Sequence, residues 1–239
     1  MPIDTARQPA AKVADSNLDL DFCVRAMEHD CGTLVKIMSM EITEKSVMSK
    51  FTYKILKSEL MAKGWSTLNR LSVEATELAT GNKKILLREV SDHGHGAAIL
   101  PINRKTGMCF LVRQWRAGAA FAGVTEPLLE AAAGLLDADD PMACAKREAA
   151  EELGLHVRNI RHICDCFASP GSFSERLSLF MGDYTPEDRF GPGGGLDHEH
   201  EDIEVVELPL SEAFAMIASG GIIDAKTIIL LQYAMLERA

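Results

Sequence analysis

A chain of 239 residues, 47% hydrophobic and 25% charged, is long enough to bury one substantial core with an appendage and has the balance of an ordinary soluble protein. Its formal net charge of −10 excludes a nucleic-acid backbone as partner, which needs a basic face, and implies that any phosphate it handles is met through a cation. No apolar run reaches the roughly 18 residues of a membrane span, and no apolar stretch follows basic residues at the N-terminus, so a cytoplasmic protein is expected.

Residues 1–50 mix polar and short apolar stretches without sustained periodicity and are expected to form a poorly ordered tail. Residues 51–92 give three strand-like pieces, FTYKILKSEL, STLNRLSVEAT and KKILLREV, expected as a small N-terminal β subdomain. From residue 93 to 239 the pattern predicts one larger domain. GAAILPI and MCFLVRQW are apolar strands joined by the polar NRKTG, and are expected to pair as a hairpin. TEPLLEAAA predicts another strand. Pro141 to Leu153 predicts a helix, with Asp139 or Asp140 as cap, Pro141 in the first turn and Gly154 as the stop. Strands follow at HVRNIRHICDCFA, ERLSLFMGDY and DIEVVELPL, with the Gly-rich loop TPEDRFGPGGGLDHEHE before the last. SEAFAMIAS and AKTIILLQYAMLER close the chain as helices. Strands with helices between and after them predict an α/β (α+β) sandwich. Six cysteines (Cys23, Cys31, Cys109, Cys144, Cys164, Cys166) form no CxxC pair and fit no zinc spacing, so reduced packing thiols are expected, Cys164 and Cys166 on one strand face.

The chemistry concentrates on the helix. Glu148, Glu151 and Glu152 stand at i, i+3 and i+4, on a face about 100° wide. Like charges at this spacing cost a few tenths of a kcal/mol per pair, so the face is either fully solvated or binds a cation. An acidic solvated face with Arg147 in a surface ion pair is the plain alternative. The order of residues says more. Arg147, Glu148, Ala149, Glu151, Glu152, Gly154 and Leu155 resemble the second half of the Nudix hydrolase signature, Gly-x5-Glu-x7-Arg-Glu-U-x-Glu-Glu-x-Gly-U, with U apolar. The first half departs from it. Aligned on its C-terminal end, the first glutamate falls on Asp139 and the glycine on Ala133; aligned on Gly134, the acidic position is Asp140. The box is one residue short, and no role is assigned to its first acidic position.

The flanks LLREV (86–90), FLVRQWR (110–116), LLEAAAGLLDADDP (128–141), SPGSFSER (169–176), GGGLDHEHEDIEVVELPLSEA (193–213) and DAKTIILLQY (224–233) resemble the bacterial GDP-mannose pyrophosphatase group, to which ADP-ribose pyrophosphatases are related. The resemblance implies a Nudix α/β/α sandwich whose N-terminal β subdomain exchanges strands in a homodimer. It implies Mg2+, with Mn2+ as a substitute, held by Ala133, Glu148, Glu152 and Glu201. Glu201 and Glu151 would serve the attacking water and Arg147 would orient a carboxylate. Trp65 would stack on the base, in the other subunit's pocket if residues 55–92 cross over, while Arg88, Glu89, Arg116, Gly134, Leu135 and Glu175 would contact substrate. From the residues alone, Arg113 and Arg116 also fit exposed strand charges, Trp65 fits a core or interface aromatic, and DHEHE fits a solvated loop in which Glu199 competes with Glu201. The expected reaction is hydrolysis of GDP-mannose to GMP and mannose 1-phosphate; the alternative is ADP-ribose to AMP and ribose 5-phosphate. A Nudix-fold sensor that binds without cleaving would have lost box carboxylates, and all three are present.

Overall fold

The computed structural model describes residues 49–137, 140–196 and 202–237, and opens with three antiparallel strands in the order β1-β2-β3. They are β1 (Phe51–Lys63), β2 (Thr67–Glu77) and β3 (Lys83–Asp92). Cross-strand partners share a face. Register therefore gathers Tyr53, Ile55 and Leu60 of β1 with Leu71, Val73 and Ala75 of β2 and Leu86 and Val90 of β3. A bulge between Ile55 and Lys57 moves the alternation by one residue, so Leu60 stays on the face of Ile55. The opposite face carries the ion pairs Lys83–Glu74, Lys57–Glu59 and Arg70–Glu89. Tyr53, Ile55 and Leu60 are exposed, so the apolar face is open along β1.

The second sheet has seven strands in the order β10-β5-β4-β9-β8, with β6 on β5 and β7 on β4. Its strands are β4 (Gly96–Ile102), β5 (Met108–Gln114), β6 (Leu128–Glu130), β7 (Ala132–Leu135), β8 (Arg158–Phe167), β9 (Arg176–Asp183) and β10 (Ile203–Pro209). Every residue of β4 is buried, as a continuous apolar run requires of a strand covered on both faces. Ala97 and Ile99 point into one core with Phe110, Ala145, Ala149 and Leu153. Ala98, Leu100 and Ile102 point into another with Leu111, Leu179, Leu210 and Leu230. Helix α2 (Pro141–Leu153) covers the first face; α3 (Leu210–Ser219) and α4 (Ala225–Leu236) cover the second. The expected α/β/α sandwich is the observed one.

The structure corrects the expected β4–β5 hairpin. The two strands pair only at Ile102–Cys109; beyond the turn β4 goes to β9 and β7, and β5 to β10 and β6. The TEPLLEAAA segment fills the wedge between them. It breaks at Ala131, whose amide donates to the Thr227 hydroxyl at 2.7 Å instead of to a strand, which splits one expected strand into β6 and β7. A short helix, α1 (Ala117–Phe121), joins β5 to this segment where no element was expected. The α2 termini follow expectation. Asp140 Oδ1 accepts from Met142 N at 3.0 Å and Ala143 N at 3.1 Å, and Gly154 takes the left-handed conformation at φ 64°. Asp139 lies outside the described residues, as do residues 1–48, on which the expected tail falls.

Cys109 and Cys144 are buried, and the thiols of Cys164 and Cys166 pack against the same core. Burial pushes both of the latter above the usual thiol range, which suits packing and not reactivity. Among the described residues no helix is long and apolar enough to cross a membrane.

Candidate active site

Helix α2 lies against β7, and its acidic face meets the backbone of Ala133 and Gly134. Glu148 and Glu152 are 6% and 1% exposed, far drier than a solvated acidic face allows. Each carboxylate has an assigned place. Glu152 Oε2 accepts from Ala133 N at 3.0 Å. Glu148 lies over Gly134 so closely that a Cβ there would stand 1.9 Å from Oε1. Arg147 Nη1 bridges Glu148 Oε1 at 2.8 Å and Glu151 Oε2 at 2.9 Å, and Nη2 donates to Leu135 O at 3.1 Å. Arg147 therefore ties the helix to the strand end, an orienting position and not a surface ion pair.

The Gly-rich segment ends on the same helix. Gly194 N and Gly195 N donate to Glu152 O and Glu151 O, at 2.8 and 3.2 Å, satisfying carbonyls at the α2 C-terminus. Glu199 and Glu201 lie outside the described residues.

Above β7 opens a cleft of about 490 Å3. Of the residues expected to touch substrate, Trp65, Arg116, Gly134, Leu135 and Glu175 line it, together with Ala133; Trp65, expected in the other subunit's pocket, stands at the cleft of its own chain. Arg88 and Glu89 do not: both are exposed on β3, where Arg88 donates to Leu87 O and Glu89 pairs with Arg70. Arg113 is an exposed strand charge paired with Glu204 at 3.2 Å, whereas Arg116, just past the end of β5, turns into the cleft.

Arg116 is held by a residue the sequence reading missed. Glu130, 2% exposed, accepts from Arg116 Nε and Nη2 at 2.9 and 3.1 Å, and from Lys226 Nζ at 2.5 Å. Asp224 takes Lys226 Nζ at 3.0 Å while also capping α4 through Thr227 N. Burial works against the Arg116 charge, but Glu130 against it, with Glu152 and Asp224 farther off, outweighs this and holds the guanidinium above its ordinary range. Lys226 and Asp224 sit in the DAKT stretch and Glu130 in LLEAAA; their 96-residue separation hides the pairing from any local pattern.

Removing one partner of a buried ion pair strands the others. Glu130→Gln is expected to cost about 3 kcal/mol and, at this chain length, to lower Tm by about 6–12 °C in calorimetry. Adding Lys226→Met should recover part of the loss; an unchanged Tm in Glu130→Gln would contradict the network.

The donor set fits a hard divalent cation. Glu148 and Glu152 offer buried carboxylate oxygens one turn apart, beside the Ala133–Gly134 backbone, and Gly134 leaves the room that a Cβ would take. Among the described residues, no three His, Cys, Asp or Glu side chains converge as a finished ligand set. Glu148 and Glu151 turn to Arg147, and Glu152 to the Ala133 amide.

An α/β/α sandwich whose carboxylate helix abuts a cleft edged with arginine and lysine is the build of an enzyme for phosphorylated substrates. A family model described as NUDIX domain matches residues 92–229. The GDP-mannose pyrophosphatase of Klebsiella pneumoniae subsp. pneumoniae is 41% identical over 180 residues, 75% of this chain and 89% of that one. The GDP-mannose pyrophosphatase of Yersinia pestis is 42% identical over 184 residues, 76% of this chain and 91% of that one. A crystal structure described as an ADP compounds hydrolase matches with TM-score 0.59 at 20% identity, over 80% of this chain and 97% of that one, a likeness of fold. The chain belongs to the Nudix family.

Proposed function

We propose that the protein hydrolyses the diphosphate bond of GDP-mannose, giving GMP and mannose 1-phosphate. The observation that carries this is the cleft itself, with an exposed aromatic, Trp65, at one side, and Arg116 and Lys226 at the other. Between them it meets the backbone over buried Glu148 and Glu152. The relatives that span most of the chain give the nucleotide sugar its name.

Water adds to one phosphorus, the P–O–P bridge breaks, and each phosphorus leaves as a phosphate monoester. Trp65 stacks on the base and Glu175 contacts the substrate beside it. Arg116 and Lys226, fixed by Glu130, face the diphosphate as oriented cations. Ala133, Glu148, Glu152 and Glu201 would hold the divalent ion, Mg2+ with Mn2+ as substitute. When bound, that ion would offset diphosphate charge and acidify the attacking water. Arg147 keeps Glu148 and Glu151 in place, and Glu151 assists the attacking water. Glu201 is assigned the proton-accepting loop carboxylate by its position before DIEV.

Incubation with GDP-mannose and Mg2+ should release GMP and mannose 1-phosphate in equal amounts, stop on chelation and resume with Mg2+ or Mn2+. Release of free mannose, or turnover undiminished by chelation, would contradict the proposal.

The uncovered apolar face of β1–β3 supports a second part of the proposal, a homodimer in which this sheet crosses to the partner. Arg88 and Glu89, exposed on β3 and away from their own cleft, would then reach the partner's. The residue boundaries 51–92 for this subdomain and 93–239 for the hydrolase domain belong to the same proposal. Removing residues 1–48 should leave dimer and turnover intact, whereas removing residues 1–70 takes away β1 and Trp65 and should abolish both. A fully active monomer in light scattering would overturn this.

A further inference from the structure

His93 stands at the joint between the two sheets. β3 ends at Asp92, and the segment after it is laced to SPGSFSER: Ser91 N donates to Ser172 O at 2.8 Å, Ser174 N to Ser91 O at 3.1 Å, and the Ser174 hydroxyl to Asp92 Oδ1 at 2.7 Å. The His93 side chain is largely enclosed there and lines the cleft. Its ring stacks on Trp65, centroids 4.9 Å apart and planes 22° from parallel. Phe173 meets the ring edge-on at 6.1 Å. Nε2 lies 3.3 Å from Glu175 Oε1. Trp65 is 79% exposed, so one face of its indole is open to the cleft and the imidazole covers the other.

We infer that His93 is a positioning residue for nucleotide binding, which braces the stacking face of Trp65 and the carboxylate of Glu175 at once. The inference rests on the pyrophosphatase reading for the roles of those two groups. Bracing acts by limiting rotamer freedom. A tryptophan this exposed, at the Gly64–Trp65 turn between β1 and β2, has little else to hold its ring. Ordering it only when the base arrives would cost binding free energy, and a ring already stacked removes that cost. Glu175 gains likewise, because a carboxylate facing the imidazole edge keeps one oxygen turned to His93 and presents the other to the cleft. One side chain thus couples an aromatic from the small sheet to a carboxylate from the large domain.

Two substitutions separate the two functions. His93→Phe keeps an aromatic face for Trp65 and removes the polar edge; His93→Asn keeps a polar group and removes the ring. Each should raise KM for GDP-mannose by about 3- to 10-fold, the scale of one polar or aromatic contact, with kcat little changed. His93→Phe should add nothing to Glu175→Gln, and His93→Asn nothing to Trp65→Leu, because coupled residues are not additive. A third readout needs no substrate. With Trp115→Phe leaving Trp65 as the single tryptophan of the two in the sequence, its anisotropy decay should gain a fast local rotation in His93→Asn and not in His93→Phe. Additive cycles in an active enzyme, or Trp65 motion unchanged by His93→Asn, would overturn the inference. A parent enzyme that cleaves no nucleotide sugar would sink the pyrophosphatase reading, and the anisotropy would still decide whether His93 braces Trp65.

Discussion

A Glu152→Gln enzyme is expected to turn over about 10³-fold more slowly than its parent while melting within a few degrees of it; the rate follows from the several kcal/mol that a bound divalent ion gives a diphosphate transition state. The stability follows from the surroundings. Glutamine keeps an oxygen to accept from Ala133 N and nearly the same volume, so the 1%-exposed position stays filled. Loss of one charge also relieves repulsion with Glu148, one helical turn away. Steady-state kinetics beside calorimetry separates the two effects. Near-parental turnover would remove Glu152 from the metal-binding role.

Gly134→Ala is expected to cost activity far more than stability. The new Cβ would meet Glu148 Oε1 at 1.9 Å and Cδ at 2.3 Å, a distance no real contact tolerates, so something must move. The atoms in its way are the end of a side chain, not backbone, so β7 stays and the carboxylate swings away. Overpacking of this kind costs about 1–3 kcal/mol of stability. A catalytic group displaced by about 1 Å costs about 10² in rate. Turnover should therefore fall about 100-fold with a modest drop in Tm. An alanine variant with parental turnover would show that the position of Glu148 over Gly134 is not needed.

Much of this site was legible in the sequence because it is local. The run from Asp140 to Gly154 carries its own cap, its own stop and three carboxylates on one face, and one helix holds them all. Fold class was legible for a similar reason, since the strands and the helices set between and after them follow one another along the chain, an order that predicts a sandwich. Long-range pairings were not. Nothing between Ile102 and Cys109 tells the chain that β4 and β5 part after one residue pair, since that depends on β9 and β10 arriving from elsewhere. The split at Ala131 depends on Thr227, far along the chain. In sequence Glu130 is one more strand residue and His93 only the first residue of the larger domain; Arg116 and Lys226 closing on the one and Trp65 lying on the ring of the other show more. Arg113 and Arg116 both fit exposed strand charges in sequence; the end of β5 at Gln114, beyond which Arg116 turns into the cleft, is what separates them.

If this cleft acts on GDP-mannose and not on nucleoside diphosphate sugars at large, kcat/KM measured in parallel for GDP-mannose and for ADP-ribose, on the full chain with Mg2+, will differ. Sites that pair with polar groups of one substrate discriminate strongly against another that presents different ones, so GDP-mannose should be preferred by about 10-fold or more. Equal or better hydrolysis of ADP-ribose, or no hydrolysis of either, would contradict the account.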